Sequence, residues 1–352
     1  MSRFLSSRHS SLKAYTPGEQ PKDRQYIKLN TNESPFPPSP IALRLARQAA
    51  GSLNLYSDPE AKALNQIAAD YFKVSPDEIL FTNGSDEILN FAFMAFADEN
   101  SPAVFPDVTY GFYPVFAKLN GIPYQEIPLK EDFSIDVNDY LGINKTIFIA
   151  NPNAQTGIAL PLFDIEKIVA SNPSNIVVID EAYVDFGAES AVGLIHKYNN
   201  LLVTQTLSKS RSLAGARLGF GIASKELIAD LNTIKYSTNP YNVNRMTMAA
   251  GIGAISDDLY FRTNCEKIIK TREAVKKELA ALGFTFADSK ANFVLAKSNN
   301  VDGKELYLKL KEKGVLVRHF DDERLKDYNR ITIGSDDEMA TLIEKIKEIS
   351  EV

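Results

Sequence analysis

Between about residues 60 and 225, short apolar runs alternate with stretches that have the periodicity of helices. The predicted strands lie at residues 78–82, 103–105, 146–150, 176–180, 201–204 and 219–223. Helical patterns lie between most of them, at residues 61–72, 86–97 and 162–170. This alternation is typical of βαβ units and predicts an α/β fold with a largely parallel sheet covered by helices.

The length of 352 residues exceeds what a single core usually holds, so two domains are expected. After the alternating region a long helix is predicted at 257–282, then shorter strands at 292–296, 315–318 and 330–333 and a last helix at 337–348. This pattern favours a smaller α+β domain. We expect an arm at 1–28 that joins it, a large domain at 29–238 and a small domain at 239–352.

The composition excludes several classes of function. A net charge of −6 gives no basic stripe for nucleic acid, and no apolar run approaches the roughly 18 residues of a membrane span. The single cysteine, Cys265, allows no disulfide within the chain and fits the reducing cytoplasm. The three histidines are far apart in sequence, so no metal site is expected.

Four of the predicted strands end in polar residues. They are Thr82-Asn-Gly-Ser85, Asn151, Asp180 and the stretch 206–209. In an open α/β sheet, ligands bind outside the carboxyl ends of the strands. The sequence therefore brings its chemically capable residues to one edge, which is the expected site.

The stretch around Lys209 offers an amine beside groups that bind an anion. Thr206 and Ser208 carry hydroxyls on either side of the strand end, and Arg217 follows eight residues after the lysine. An amine that attacks an aldehyde must be able to lose its proton, and a phosphate needs hydroxyls, N–H groups and a guanidinium. The segment favours a phosphorylated aldehyde as ligand. The alternative is an exposed loop lysine beside an ordinary arginine.

Two more strand ends suit the same ligand. Ser85 and Asp86 are good N-caps for the next helix, whose free N–H groups can hold a phosphate. Asp180 could keep a pyridine nitrogen protonated, Tyr183 could bond a phenolic oxygen, and Tyr110 offers a face on which a flat ring can stack. Taken alone, each also fits a structural role: a plain helix cap, an acidic strand end or a core aromatic.

Taken together, these residues in this order resemble the class I and II aminotransferases, which are fold type I enzymes dependent on pyridoxal 5′-phosphate. Within that superfamily the chain is most similar to the histidinol-phosphate aminotransferases. The motifs that carry the similarity are Leu29-Asn-Thr-Asn-Glu-Ser-Pro35, Leu55-Tyr56, Gly84-Ser-Asp-Glu87, Asp180-Glu-Ala-Tyr183, Leu213-Ala-Gly-Ala-Arg217, Pro240-Tyr-Asn-Val-Asn244, Ala291-Asn-Phe293, Val317-Arg-His-Phe320 and Arg330-Ile-Thr-Ile-Gly334.

The resemblance implies a role for each candidate. Lys209 bonds the cofactor and then moves a proton between the substrate α-carbon and the cofactor. Asp180 pairs with the pyridine nitrogen, Tyr183 contacts the phenolic oxygen and Tyr110 stacks on the ring. The residues that it assigns to the cofactor phosphate are Ser85, Asp86, Thr206, Ser208 and Arg217.

The resemblance also implies a homodimer with shared active sites, in which Tyr56 reaches the phosphate of the neighbouring subunit's cofactor. Arg330 would bind the carboxylate of glutamate and the phosphate of histidinol phosphate in turn. Arg318 and Tyr15 are further candidates for that end of the site.

One stretch departs from the family pattern. The family commonly reads Asn-Pro-Asn-Asn-Pro-Thr-Gly, and its last asparagine, directly before Pro-Thr-Gly, contacts the phenolic oxygen of the cofactor. Here Ala154 stands at that position and Gln155 replaces the proline. Alanine cannot donate the bond, so we expect Asn153 to replace it. Otherwise the contact depends on Tyr183 alone.

The reaction implied is transfer of an amino group from histidinol phosphate to 2-oxoglutarate, giving imidazole-acetol phosphate and glutamate. Two alternatives stay open: an aromatic or other amino-acid aminotransferase of the same subgroup, and a threonine-phosphate decarboxylase. A regulator without turnover is disfavoured, because regulators of this fold usually carry an added DNA-binding domain and this chain is acidic.

Overall fold

The computed structural model describes residues 2–10, 12 and 14–350. Its larger sheet has seven strands in the order β2-β8-β7-β6-β5-β3-β4. Their bounds are β2 Ile79–Thr82, β3 Ala103–Pro106, β4 Tyr124–Ile127, β5 Thr146–Ala150, β6 Val177–Asp180, β7 Leu201–Thr206 and β8 Gly219–Ile222. Every residue of β2, β3, β5, β6, β7 and β8 is buried, as expected for strands covered by helices on both faces.

The prediction of a mostly parallel α/β sheet is confirmed. Strands β4, β3, β5, β6 and β7 run parallel, while β8 is antiparallel to both of its neighbours, β2 and β7. Because β8 follows β7 without a crossover helix, it must return in the opposite direction. The sequence analysis missed β4, whose central residues Gln125 and Glu126 are exposed at the sheet edge.

Helices cover the larger sheet at α1 Pro40–Ala50, α2 Lys62–Phe72, α3 Ser85–Phe96, α4 Tyr113–Asn120, α5 Leu162–Ser171, α6 Lys225–Thr238 and α7 Arg245–Ser256. Local sequence fixes where several of them begin. The Ser39 hydroxyl accepts a hydrogen bond from the N–H of Ala42, and proline occupies the first helical position of α1. The Asn244 side chain caps α7 in the same way, accepting from Thr247.

The smaller sheet has five strands in the order β1-β11-β12-β10-β9. The bounds are β1 Ile27–Leu29, β9 Phe284–Phe286, β10 Phe293–Ser298, β11 Val315–His319 and β12 Asn329–Thr332, with helices α8 Asp258–Ala281, α9 Gly303–Glu312 and α10 Asp336–Ser350. Strand β1 pairs with β11, so the chain just before residue 30 joins this sheet. The domain division at residues 28 and 238 stays a proposal.

In the part of the chain that the structure describes, no helix has the length and apolar character needed to cross a bilayer.

Most predicted elements appear within two residues of the expected bounds, and the long predicted helix at 257–282 is α8. Elements that the sequence analysis did not name include α4, α7 and α9, besides β1, β4 and β9.

The contact between α1 and α7 depends on Gly253. A Cβ atom there would lie 2.6 Å from the Cα and the backbone N of Ala42, which cannot rotate away. Helix propensity alone would make alanine more stable than glycine here by about 1 kcal/mol. A loss of stability on substitution would therefore show that the close contact with α1 outweighs the propensity. We expect Gly253→Ala to lower the unfolding temperature, at a cost of about 1–3 kcal/mol. Gly193→Ala is the control, because nothing lies within 4 Å of its added Cβ. Equal unfolding temperatures for the two variants would contradict this.

Candidate active site

A cavity of about 310 Å³ lies at the carboxyl ends of β5, β6 and β7 and is closed on one side by the start of α3. It brings together nine of the predicted site residues: Ser85, Asp86, Tyr110, Asp180, Tyr183, Thr206, Ser208, Lys209 and Arg217. A larger cavity of about 830 Å³, between α2 and α6, contains none of them. The chemistry is therefore assigned to the smaller cavity.

The loop after β7 presents the lysine. The Ser208 N–H donates to the Thr206 hydroxyl at 3.1 Å, which fixes the turn and leaves both hydroxyls at the cavity wall. The next side chain, Lys209, donates from Nζ to the carbonyl oxygen of Thr31 at 3.2 Å. Its Nζ also lies 5.9 Å from the centre of the Tyr183 ring. The amine is thus held at the cavity by a neutral oxygen, with no carboxylate in contact with it among the described residues.

The first turn of α3 forms the other wall. Its N-cap is Gly84, with φ +78°, rather than Ser85 or Asp86 as the sequence suggested, because the chain must turn in the left-handed region there. A Cβ on Gly219 would lie 2.3 Å from the N atom of Ser85. Strand β8 therefore passes against the first turn of α3. The N–H groups of that turn have no partner within the helix and can bind an anion.

Arg217 lies over this turn. It sits at φ +55°, and its Nη2 atom is 2.8 Å from Oδ2 of Asp86. The other carboxylate oxygen accepts a hydrogen bond from the Tyr110 hydroxyl at 2.5 Å. The Asp86 carboxylate thus holds Arg217 and Tyr110 in place, while its own main chain belongs to the helix start.

Asp180 ends β6 and lies buried at the bottom of the cavity. Tyr113 donates to its Oδ2 at 3.0 Å and Thr204 donates to its Oδ1 at 3.3 Å. Burial raises the pKa of this carboxyl to about 6, and the negative charge of Asp86 adds to the effect. Among the described residues its side-chain partners are two neutral hydroxyls, so the negative charge of this carboxylate suits a protonated ring nitrogen as its partner.

Tyr183 is oriented by residues that the sequence analysis missed. The Asn32 side chain donates from Nδ2 to the Tyr183 hydroxyl oxygen at 3.0 Å, and its own Oδ1 accepts from Thr332 at 3.0 Å. Because the tyrosine oxygen already accepts a bond, its hydrogen is available to donate into the cavity. Asn32 has φ +54°, a conformation in which asparagine is enriched, so the asparagine in the Leu29–Pro35 motif was the available signal.

The structure does not bring Asn153 to the cavity. Its Nδ2 donates to the carbonyl of Val108 at 2.8 Å, and its Oδ1 accepts from the N–H groups of Gln155 and Thr156. The expectation that Asn153 replaces the asparagine lost at position 154 is therefore corrected, because its side chain is bonded within the loop. Asn153 holds its own loop, Ala154 lines the cavity without a polar side chain, and Tyr183 is left as the donor on that side.

Arg330 lies behind this loop. It donates from Nη1 to the carbonyl of Ala154 at 2.8 Å, and burial lowers the pKa of its guanidinium. Arg318 pairs with Arg330 across strands β11 and β12 and reaches the carbonyls of Thr16 and Pro17 in the N-terminal arm. In the same arm, the Tyr15 ring packs on a neighbouring aromatic ring with centroids 4.2 Å apart.

Tyr56 lies outside this cavity. It is 78% exposed and stacks on the ring of Tyr241, with centroids 4.5 Å apart. Tyr56 therefore does not contribute to the cavity of its own subunit.

The residues present fit a phosphorylated pyridine aldehyde. A glycine-lined helix start with Arg217 offers an anion site, and a buried carboxylate, Asp180, faces the same cavity. An amine, Lys209, and a hydroxyl donor, Tyr183, line the same cavity, with Nζ 5.9 Å from the centre of the tyrosine ring. Such a ligand needs an anion site, an aldehyde partner and a counter-charge for its ring nitrogen, and all three are here.

The sequence model of the family described as aminotransferase class I and II matches residues 24–346. This chain belongs to the class I and II aminotransferase family. Its members are enzymes that use pyridoxal 5′-phosphate, so this chain is an aminotransferase with that cofactor. The α/β fold expected from the sequence is the fold of this family.

Named relatives agree with this membership. The chain is 51% identical over 351 residues to the histidinol-phosphate aminotransferase of Brachyspira hyodysenteriae, covering 99% of each chain. It is 47% identical to that of Acinetobacter baumannii, covering 98% of this chain and 97% of the relative. The crystal structure of histidinol-phosphate aminotransferase from Sinorhizobium meliloti with pyridoxal 5′-phosphate has the same fold, with a TM-score of 0.90 over all of this chain and 98% of the other, at 23% identity.

Asp180 gives a test that separates charge from shape. In the folded, cofactor-free protein its pKa is about 6 against an ordinary 3.8, so the folded state binds more protons than the unfolded state between these values. Its contribution to stability therefore falls as pH rises from about 4 to about 6 and stays low above. We expect Asp180→Asn to gain unfolding temperature relative to the wild type as pH rises from about 5 to about 8.

The same variant should keep the cofactor but transaminate slower by orders of magnitude, since an amide cannot hold the ring nitrogen protonated. Thermal unfolding of cofactor-free protein and steady-state rates measure the two effects. A difference in unfolding temperature that does not change with pH would contradict the raised pKa of Asp180. A near-wild-type rate would show that Asp180 does not pair with the ring nitrogen.

Proposed function

We propose that this chain transfers the amino group of histidinol phosphate to 2-oxoglutarate, giving imidazole-acetol phosphate and glutamate. The named relatives at about half identity over nearly the full length support this substrate. In the first half of the reaction histidinol phosphate exchanges its amino group for a carbonyl oxygen from water, and in the second half 2-oxoglutarate exchanges its carbonyl oxygen for that amino group. The proposal rests on two cations that stand opposite each other, Arg318 and Arg330.

Arg318 and Arg330 stand directly opposite each other on the antiparallel strands β11 and β12. Residues opposite each other in such a pair project from the same face, where two like charges repel. The Arg318 charge contributes to lowering the pKa of Arg330. An anion between the two guanidiniums would relieve this repulsion. A phosphate dianion, which offers three oxygens and nearly two charges, suits the pair better than an uncharged side chain does.

The other residues divide the work. Bound pyridoxal 5′-phosphate supplies an electron sink for the bond that breaks at the α-carbon. Lys209 moves the proton to and from that carbon, since its amine already reaches into the cavity. Asp180, which lines the same cavity, would keep a proton on the ring nitrogen. Ser85, Thr206, Ser208 and Arg217 hold the cofactor phosphate, and Asp86 positions Arg217 over it.

Tyr183 and Tyr110 complete the cofactor site in this proposal. The hydroxyl of Tyr183, held by Asn32, would donate to the phenolic oxygen of the bound cofactor. Tyr110, whose hydroxyl is held by Asp86, would offer its face to the cofactor ring. Tyr15 closes the substrate end from the N-terminal arm, which Arg318 tethers through the carbonyls of Thr16 and Pro17.

The substrate is tested by turnover of three amino compounds side by side with 2-oxoglutarate as acceptor: histidinol phosphate, phenylalanine and threonine phosphate. We expect the highest kcat/KM for histidinol phosphate. A preference for phenylalanine would indicate an aromatic aminotransferase instead. Release of carbon dioxide from threonine phosphate would indicate a decarboxylase.

The proposal includes a homodimer in the cytoplasm. Exposed tyrosines are enriched where proteins associate, and Tyr56 and Tyr241 form a stacked pair at the surface. Two-fold dimers are the commonest oligomers, and we propose that this pair faces the second subunit of one. The single, buried thiol of Cys265 suits a reducing compartment.

Arg330 should be the anion anchor in both half-reactions. Arg330→Lys keeps a positive charge but loses the planar fork that binds two oxygens at once. We expect KM for glutamate and for histidinol phosphate to rise together, by about tenfold or more, with the cofactor absorbance unchanged. Steady-state kinetics with each donor measures this. If only glutamate is affected, Arg318 and Tyr15 hold the phosphate instead.

Shared active sites can be tested by mixing inactive variants. Lys209→Ala should have no steady transamination, because one amine serves as cofactor partner and proton carrier. Tyr56→Ala should be impaired through the neighbouring subunit's phosphate site. A hybrid dimer rebuilds one intact site, so mixing the two after subunit exchange should restore activity. No recovery in a mixture shown to contain hybrid dimers, or full activity of a monomer in sedimentation, would contradict the shared site.

A further inference from the structure

Arg330 is held by the one loop that departs from the family pattern. Its Nη1 atom donates to the carbonyl oxygen of Ala154 at 2.8 Å and to Oε1 of Gln155 at 3.1 Å. An Nη atom carries two hydrogens, so both are used by this loop. The family commonly has proline where this chain has Gln155, and proline offers no side-chain oxygen. The second of these bonds is therefore specific to sequences with an acceptor at this position.

The Gln155 side chain can adopt only one of its two amide orientations here. Its Nε2 atom donates to the carbonyl oxygen of Thr109 at 3.1 Å. A carbonyl only accepts and a guanidinium only donates, so the amide nitrogen must face Thr109 and the amide oxygen must face Arg330. The flipped amide would lose both bonds. Gln155 thus forms a fixed bridge between the loop after β3 and the guanidinium.

This arrangement decides which edge of Arg330 remains for a ligand. The Nε atom is enclosed and has no hydrogen-bond partner among the described residues. Nη2 makes none of the hydrogen bonds that hold the guanidinium to the loop. Nε and Nη2 form one edge of the planar group, and their two parallel N–H bonds match the two oxygens of a carboxylate. Burial lowers the pKa of this guanidinium, so its charge needs an anion at that edge.

We propose that Gln155 is a positioning residue for substrate binding, which sets the rotation of Arg330 so that its Nε–Nη2 edge faces the substrate carboxylate. This rests on the proposed role of Arg330 as the substrate anchor. Ala154 contributes only its main-chain oxygen, so the side chain at 155 supplies the directional contact. Without it, Nη1 keeps one bond and the guanidinium can turn about its stem.

The test uses succinate, a dicarboxylate that cannot react, titrated into the cofactor-loaded enzyme by calorimetry. Gln155→Met keeps the length of the side chain and removes its oxygen. We expect the Kd for succinate to rise about tenfold, the size of effect typical for a lost hydrogen bond to a charged group. The KM for glutamate should rise in parallel, while kcat at saturation and the cofactor absorbance stay close to wild type. Gln125→Met, on the exposed edge strand β4, is the matched control and should change neither.

A double-mutant cycle separates positioning from a merely structural role. In an Arg330→Lys background, Gln155→Met should alter the succinate Kd less than twofold, because its partner is gone. An equal effect in both backgrounds, or a Kd within twofold of wild type when Arg330 is intact, overturns the proposal. If Gln155→Met does not fold, Gln155→Leu replaces it. It likewise supplies no side-chain oxygen to Arg330, so unchanged binding again overturns the proposal.

These measurements need no histidinol phosphate. If the chain prefers another amino donor, the turnover comparison shows it while the succinate result still decides the role of Gln155. If succinate binding is indifferent to Gln155, the preference for histidinol phosphate can still stand.

Discussion

The active site depends on the close approach of β8 to the first turn of α3. Gly219 leaves no room for a side chain against the Ser85 nitrogen, and a Cβ on Gly84 would lie 2.4 Å from Nη2 of Arg217. With both positions bare, the helix N–H groups and the guanidinium can approach the same anion. The antiparallel direction of β8 matters as well. The strand begins two residues after Arg217, which places this arginine at the carboxyl edge of the parallel strands.

Of two neighbouring acidic residues at the end of β6, one has a structural role and the other faces the cavity. Glu181 is buried, and it accepts hydrogen bonds from Ser190, Gln205 and the N–H of Ala191. Burial raises its pKa to about 7 in spite of these three bonds. Asp180, which faces the cavity, has two side-chain donors instead and a pKa of about 6. The neighbour with the fuller set of bonds anchors the following loop, and the other is left for a cationic partner.

The sequence predicted the strand ends well because their signals are local. Asp180 and Lys209 each follow a short apolar run, and parallel strands bring such ends to one edge whatever the details of packing. What could not be predicted depends on contacts between distant segments. Gly84 caps α3 because the backbone turns left-handed there, and Asn32 reaches Tyr183 across 151 residues of sequence. Strand β4 was missed because its exposed edge lacks the apolar pattern of a buried strand.

Asn153 shows the limit of reasoning from a motif by position alone. Moving a lost function to the nearest asparagine assumed that side chain to be free, but a loop must first satisfy its own main chain. Asn153 accepts from two N–H groups of its own loop and donates to the carbonyl of Val108, so it was already committed. The two substitutions in this stretch therefore act on different partners. Ala154 removes a polar side chain from the cavity, which leaves Tyr183, oriented by Asn32, as the donor there. Gln155 adds a hydrogen bond to Arg330 behind the loop. The departure weakens one side of the site and stiffens the other.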